Sequence, residues 1–261
     1  MSINLRHEDP ALSQSWFLAI VLPVIVVAAY IIMITVAPRD QIQWLHGETG
    51  PVEIATALVF LAAGILSLVM AFRIGKVDPQ RPMYVVAAFV FIALVAFFML
   101  LEEISYGQHF FGFESPEVFQ EHNKQKEFNL HNLWDDKPSS TLRDIANICV
   151  PVGGLLMPLL IALRPQWNYR RRSWSWYLFP RWELALWIIF SMLISPFRKL
   201  GGFSEGYDHI WRGTFSEFKE LLWAFVGLIV LLVLYRRLFK LGPKTEAPAV
   251  TTSAESTATQ H

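Results

Sequence analysis

The sequence predicts an all-α fold: a polytopic transmembrane helix bundle of about six spans, with a long, partly helical outer loop between spans three and four. Three observations carry this prediction. Hydrophobic residues make up 54% of the chain and the mean hydropathy is +0.37, which is too apolar for an ordinary soluble domain. Several stretches of about 20 residues carry few or no charges, enough to cross a hydrocarbon core of ~30 Å. Basic residues, finally, are concentrated in alternate connections.

The predicted spans differ in how closely their composition matches that of a typical membrane helix. The first three are almost free of charge, and only Glu53 interrupts them. The fourth contains two prolines and two glycines, which predict a kink. The fifth and sixth carry charges near their starts. The six segments are residues 16–37, 52–72, 83–101, 145–163, 178–197 and 218–235. The first is too long for the apolar part of a signal peptide.

The placement of arginine and lysine predicts the orientation. Residues 73–82, 164–181 and 236–244 are rich in these side chains and are expected on the cytoplasmic side. The protein is therefore expected in the inner membrane of a bacterial cell, with both termini in the cytoplasm. Loops 38–51, 102–144 and 198–217 face outward, although the last carries three basic residues that oppose this assignment.

Composition also limits domains and partners. Residues 1–240 are expected to form one transmembrane domain, and residues 241–261 a disordered polar cytoplasmic tail. The bilayer is therefore the expected surrounding. The 22 basic residues balance the 22 acidic ones, so no nucleic-acid partner is indicated. Cys149 is the single cysteine, which excludes an intrachain disulfide and a multi-cysteine metal site.

Two adjacent acids follow the third span in the stretch LEEISYGQHFFG. If the helix continues, Glu102 and His109 share a face with Ser105 or Tyr106, whereas Glu103 points about 100° away. An acid at membrane depth is costly and usually faces the bundle interior, and acids at a helix C-terminus oppose the helix dipole. Both arguments favour a functional role. The alternative is that the two glutamates simply end the helix among the lipid headgroups.

Other outer-loop residues are candidates for the same site, because loops that leave one small bundle lie close together. In FNLHNL, an extended chain puts Asn129 and His131 on one side, although an asparagine-rich turn is the alternative. Thr214-x-x-Glu217 matches a capping box that starts the sixth span. Glu220 lies about one turn further on, where a helix-capping role does not account for a charged residue.

EEISYGQ followed by NLHNL resembles a group of uncharacterised bacterial integral membrane proteins with the motifs E-E-I-S-W-G-Q-R and N-L-H-N and an acid that opens the second span. The resemblance covers mainly residues 45–60 and 100–133 and brings no known activity. Tyr106 stands where the pattern has tryptophan and His109 where it has arginine. The second difference weakens His109 as a metal ligand.

These residues suggest three classes of function. The first is a hydrolase or transferase acting on a lipid or lipid-linked substrate at the outer leaflet, either by metal-free acid–base chemistry or with a divalent metal such as zinc. The second is a cation- or proton-coupled transporter, and the third a structural or assembly subunit of a membrane complex. Acids at span ends rather than at midspan favour the enzyme. The predicted catalytic residues are Glu102, Glu103, Gln108 and His131, and the predicted metal ligands are Glu102, His109, His131 and Glu220.

Overall fold

The computed structural model is built of helices throughout its described parts. It describes residues 17–47, 49–123, 126–130, 145, 147–163, 173–180, 184–200 and 209–240. In chain order the helices are α1 (Leu22–Val36), α2 (Arg39–Leu45), α3 (Pro51–Val77), α4 (Met83–Glu103), α5 (Gln108–Phe111), α6 (Glu117–His122), α7 (Met157–Leu163), α8 (Trp174–Leu178), α9 (Ala185–Leu200) and α10 (His209–Tyr235). The predicted tail, 241–261, lies outside the described residues.

Four helical stretches within the described residues are long and apolar enough to cross a membrane. They are Ala19–Val36, Pro51–Val77, Met83–Glu103 and Thr214–Phe239. Only 22% to 39% of the residues in their apolar windows are buried inside the protein, so most of this apolar surface faces outward. A helix that is apolar all round and not buried by protein is stable in lipid. The chain is therefore a multi-pass membrane protein, as its composition predicts.

Two further apolar helices are shorter than a span. Asn147–Leu163 corresponds to the predicted fourth span and Ala185–Ile194 to the fifth. Where a kink is predicted in the fourth span, a π-helical segment, Val152–Leu156, directly follows Pro151. Proline removes one bond of the helical ladder, and a wider turn is one way in which the ladder adjusts. The described residues thus contain four full-length spans rather than six.

Helix α10 lies between two apolar clusters. Towards one end, Leu231 and Leu234 pack with Met70 of α3 and Phe89 of α4. Towards the other end, Leu222 packs in a second cluster, with Tyr30 of α1 and Trp187 of α9. Helices α3 and α4 also pack directly together, and at Gly64 an added Cβ would lie 2.9 Å from the Phe97 ring. The small residue therefore lets these two helices approach closely.

One end of the bundle is held by hydrogen bonds around α8. The Tyr177 hydroxyl donates to the Asp78 carboxylate, which follows α3. The Arg237 guanidinium donates to the carbonyl of Phe179 at 2.8 Å, and that of Arg73 donates to the Tyr235 hydroxyl at 2.7 Å. Because α3 ends, α4 begins and α10 ends here, the opposite ends of these three helices meet at the other side of the bundle.

The predicted capping box at Thr214 is wrong. Helix α10 begins at His209, so Thr214 lies inside the helix. Its carbonyl oxygen accepts a hydrogen bond from the Tyr30 hydroxyl at 2.8 Å. An N-cap residue must lie at the helix boundary, outside the helical backbone conformation. Glu217, more than two turns into the helix, therefore does not cap it.

Candidate functional site

Helix α4 ends at Glu103, so the condition under which Glu102 and His109 would share a helix face is not met. Ser105, Tyr106 and Gly107 have φ values of 46°, 52° and 83°, so the chain passes through a left-handed turn before α5. Such values are uncommon for residues other than glycine and persist where the surroundings hold them. Side chains beyond Glu103 therefore do not share the faces of α4, and their contacts come from the returning chain.

We call the described residues between 104 and 130, which belong to the predicted outer loop, the outer segment, and its central acceptor is Glu127. This buried carboxylate, 3% exposed, accepts hydrogen bonds from the Ser105 hydroxyl at 2.7 Å and from the Asn129 amide at 2.8 Å. Its other oxygen lies 3.0 Å from Nε2 of His109. The Asn123 amide donates to the Glu127 carbonyl at 2.8 Å. Sequence reasoning missed Glu127, because nothing in a charged loop marks an acid that will be buried.

Gln108 closes the same segment. Its amide oxygen accepts from the Phe128 backbone N–H at 2.7 Å and from the Ser115 hydroxyl at 3.0 Å. The Ser115 hydroxyl is also 2.7 Å from the carbonyl oxygen of Lys126. This arrangement gives Gln108 a structural role in joining the two halves of the segment, and its predicted catalytic role stays a prediction.

Glu102 ties the end of α4 to the outer segment. One of its oxygens accepts from the Tyr106 hydroxyl at 2.7 Å and the other from the Leu130 backbone N–H at 2.8 Å. Burial and the hydrogen bond to Glu102 raise the pKa of Tyr106 well above its usual value, so the phenol stays a donor. His131 lies outside the described residues, and its predicted pairing with Glu102 stays a prediction.

Glu103 has a different environment from its neighbour. Its side chain is 5% exposed and receives no hydrogen bond from the described residues. The carboxylates of Glu220, Glu217, Glu53 and Glu102 lie close enough to repel its charge. We call Glu53, Glu103, Glu217 and Glu220 the acidic end; they come from the first turn of α3, the last turn of α4 and the first half of α10. Buried like charges require a proton, a cation or a polar ligand to balance them.

His46 lies at the same side of the bundle, at the C-terminus of α2. Its Nδ1 is buried without a hydrogen-bond partner among the described residues, and its Nε2 is 3.5 Å from the Tyr30 hydroxyl. Tyr30 stacks on Phe218, which follows Glu217, with 3.4 Å between ring centroids. Burial lowers the pKa of His46 to about 4, so the imidazole is neutral at pH 7. His46 lies in the predicted outer loop 38–51 but is not among the predicted site residues.

The predicted metal ligands do not form one cluster within the described part of the chain. No group of three or more His, Cys, Asp or Glu side chains there is arranged to hold a metal ion. Glu102 and His109 contact different partners, Tyr106 and Glu127, and Glu220 acts electrostatically on Glu103. Since the fourth predicted ligand, His131, is not described, the metal site stays a prediction.

The comparisons with known proteins assign no family to this arrangement. No protein-family model matches the sequence, and no curated protein or solved structure is significantly similar to it. The resemblance of the two motifs to uncharacterised bacterial membrane proteins therefore stays a prediction.

Proposed function

We propose that this membrane protein is an enzyme, a hydrolase or transferase, that uses acid–base chemistry on a lipid or lipid-linked substrate at the outer leaflet of the bacterial inner membrane. The observation that carries the proposal is the buried Glu103 carboxyl, which receives no hydrogen bond from the described residues although four other carboxylates repel its charge. A carboxyl group with a purely structural role at this depth is expected to accept hydrogen bonds, as those of Glu102 and Glu127 do. Glu103 therefore keeps its oxygens available for a substrate hydroxyl or a water molecule.

The neighbours of Glu103 supply the rest of the chemistry. Hydrolysis and group transfer need one group that removes a proton from the attacking hydroxyl and another that returns a proton to the leaving group. Glu103 and Glu220, whose charges repel each other, are the two carboxyl groups that would take these roles. His46, neutral at pH 7, can accept a hydrogen bond at this end of the bundle. A divalent metal such as zinc, if bound by the predicted ligands, would supply a Lewis acid.

The depth of the acidic end supports a lipid substrate. Glu53 lies in the first turn of α3, Glu103 in the last turn of α4, and Glu220 in the second turn of the apolar stretch Thr214–Phe239. These positions are at span ends, where lipid headgroups meet the hydrocarbon. The reactive bonds of a lipid or lipid-linked substrate lie at this level, so the substrate reaches Glu103 without leaving the bilayer.

Loss of the Glu103 charge is expected to abolish the activity. We expect cells that overproduce the parent protein to show a change in one lipid or lipid-linked species, measured by mass spectrometry of lipid extracts. Glu103→Gln keeps the size of the side chain but cannot exchange a proton, so extracts should match those from cells with the empty vector. Glu114→Gln, an exposed matched control, should behave like the parent. A Glu103→Gln variant that changes the lipids as the parent does would refute the proposal.

A second candidate, cation- or proton-coupled transport, uses the same carboxylates. The charge of the acidic end favours it, because several acids that share one proton or cation are typical of transport pathways. Proteoliposomes that contain a pH-sensitive dye distinguish the two. Proton flux that requires Glu103, together with unchanged lipid extracts, would favour transport.

In the six-span arrangement predicted from the sequence, which has both termini in the cytoplasm, the proposed site faces outward. A cysteine at Ser139, in a Cys149→Ser background, is expected to react with a membrane-impermeant maleimide in intact spheroplasts. Cysteines at Lys76 and Lys244 should react only after lysis, because positive-inside placement puts these residues in the cytoplasm. The reverse pattern would overturn the orientation and the assignment to the outer leaflet.

A further inference from the structure

The outer segment buries a group of hydrogen-bonded polar side chains and exposes several large apolar ones. Ser105, Asn123, Glu127 and Asn129 are buried and bonded to one another, whereas the adjacent Phe110 and Phe111 are 67% and 81% exposed. Three more apolar side chains of the segment are exposed: Phe113, Val118 and Leu130. A water-soluble loop has the opposite distribution, because exposed adjacent aromatic rings are unfavourable in water.

The position of the two phenylalanines keeps them near the membrane surface. An added Cβ at Gly107 would lie 2.8 Å from Cε2 of Phe111, so this ring lies against the left-handed turn. Gly107 follows the end of α4 by only four residues. Leu101, in the last turn of that span, is itself exposed on the outward-facing surface. The exposed rings therefore follow, within ten residues, the end of a helix whose exposed surface the bilayer covers.

We infer that Phe110 and Phe111 insert into the boundary between lipid headgroups and acyl chains and anchor the outer segment to the membrane. Aromatic rings are favoured at this depth, and the polar side chains that precede the two rings, Gln108 and His109, bond within the segment to the Phe128 N–H and to Glu127. The partner is the bilayer rather than a second protein, since the patch adjoins the exposed end of α4. This inference does not depend on the proposed enzymatic activity.

Spin labels test the depth of the two side chains. We propose single cysteines at Phe110, Phe111 and Glu117 in a Cys149→Ser background, each labelled with a nitroxide in vesicles of phosphatidylcholine and phosphatidylglycerol. Collisions with oxygen, which enriches in lipid, are compared with those of a water-soluble nickel chelate. The ratio of oxygen collisions to nickel-chelate collisions should be severalfold higher for labels at Phe110 and Phe111 than for the label at Glu117. Glu117 is an exposed residue of the same segment.

Two results would overturn the inference. Equal accessibility to the nickel chelate at all three positions would mean that the rings lie in water. Spin–spin broadening at Phe110 and Phe111 that disappears on dilution with unlabelled protein would mean that a second copy covers them. Using both phenylalanine positions guards against a local disturbance from replacing Phe111, whose ring packs on Gly107.

Discussion

Replacing Glu127 by alanine is expected to open the outer segment while the membrane helices remain folded. The change removes the acceptor for the Ser105 hydroxyl, the Asn129 amide and Nε2 of His109. Buried donors that lose a charged acceptor cost about 1.5–3 kcal/mol each, and the losses are not additive. We expect the segment to lose about 3 kcal/mol of local stability, which is a roughly 100-fold increase in its opening equilibrium.

Hydrogen–deuterium exchange in lipid nanodiscs measures this opening. Amides between Ile104 and Leu130 should exchange much faster in Glu127→Ala, whereas those within α3 and α4 should keep their rates. Glu121→Ala is the matched control, because this glutamate belongs to the same segment but its side chain is 63% exposed. Its loss should change local stability by less than about 0.5 kcal/mol. Unchanged exchange in Glu127→Ala would refute the central role of Glu127.

Leu222→Ala is expected to destabilise the whole helix bundle. Leu222 is fully buried in α10 against the cluster that contains Tyr30 and Trp187. In lipid, helix association depends on close packing, since lipid tails are as apolar as leucine. Removing a buried leucine leaves a cavity and typically costs about 2–5 kcal/mol. The free energy of unfolding, measured by denaturant titration in bicelles, should fall by at least about 2 kcal/mol.

Leu232 offers the matched control on the same helix. This leucine is 41% exposed, and in a membrane its exposed part contacts lipid. Leu232→Ala should therefore change the unfolding free energy by no more than about 1 kcal/mol, because lipid fills the space that the side chain leaves. If both substitutions cost the same, α10 does not have one buried and one lipid-facing side as described.

The membrane fold could be predicted from the sequence because its signal is local. A stretch of about 20 apolar residues needs no tertiary contact to be recognised, and lipid stabilises it as a helix. Four predicted spans are therefore present at full length, whereas segments interrupted by proline or charge, such as Asn147–Leu163, were harder to predict. The topology also predicts that acids next to the outer loops lie close together, because the ends of antiparallel helices meet on one side of the membrane.

The roles of individual polar residues were decided only by the tertiary structure. Glu102 and Glu103 are neighbours of identical chemistry, yet Glu102 is held by Tyr106 and Leu130 while the acids of α3 and α10 repel the charge of Glu103. The left-handed turn after α4 determines this difference, since it returns the chain so that residues more than 20 positions apart meet. Local periodicity carries no information about such partners. A buried carboxylate therefore acquires its role from the donors that the fold brings to it, which is why Glu127 was recognised only in the structure.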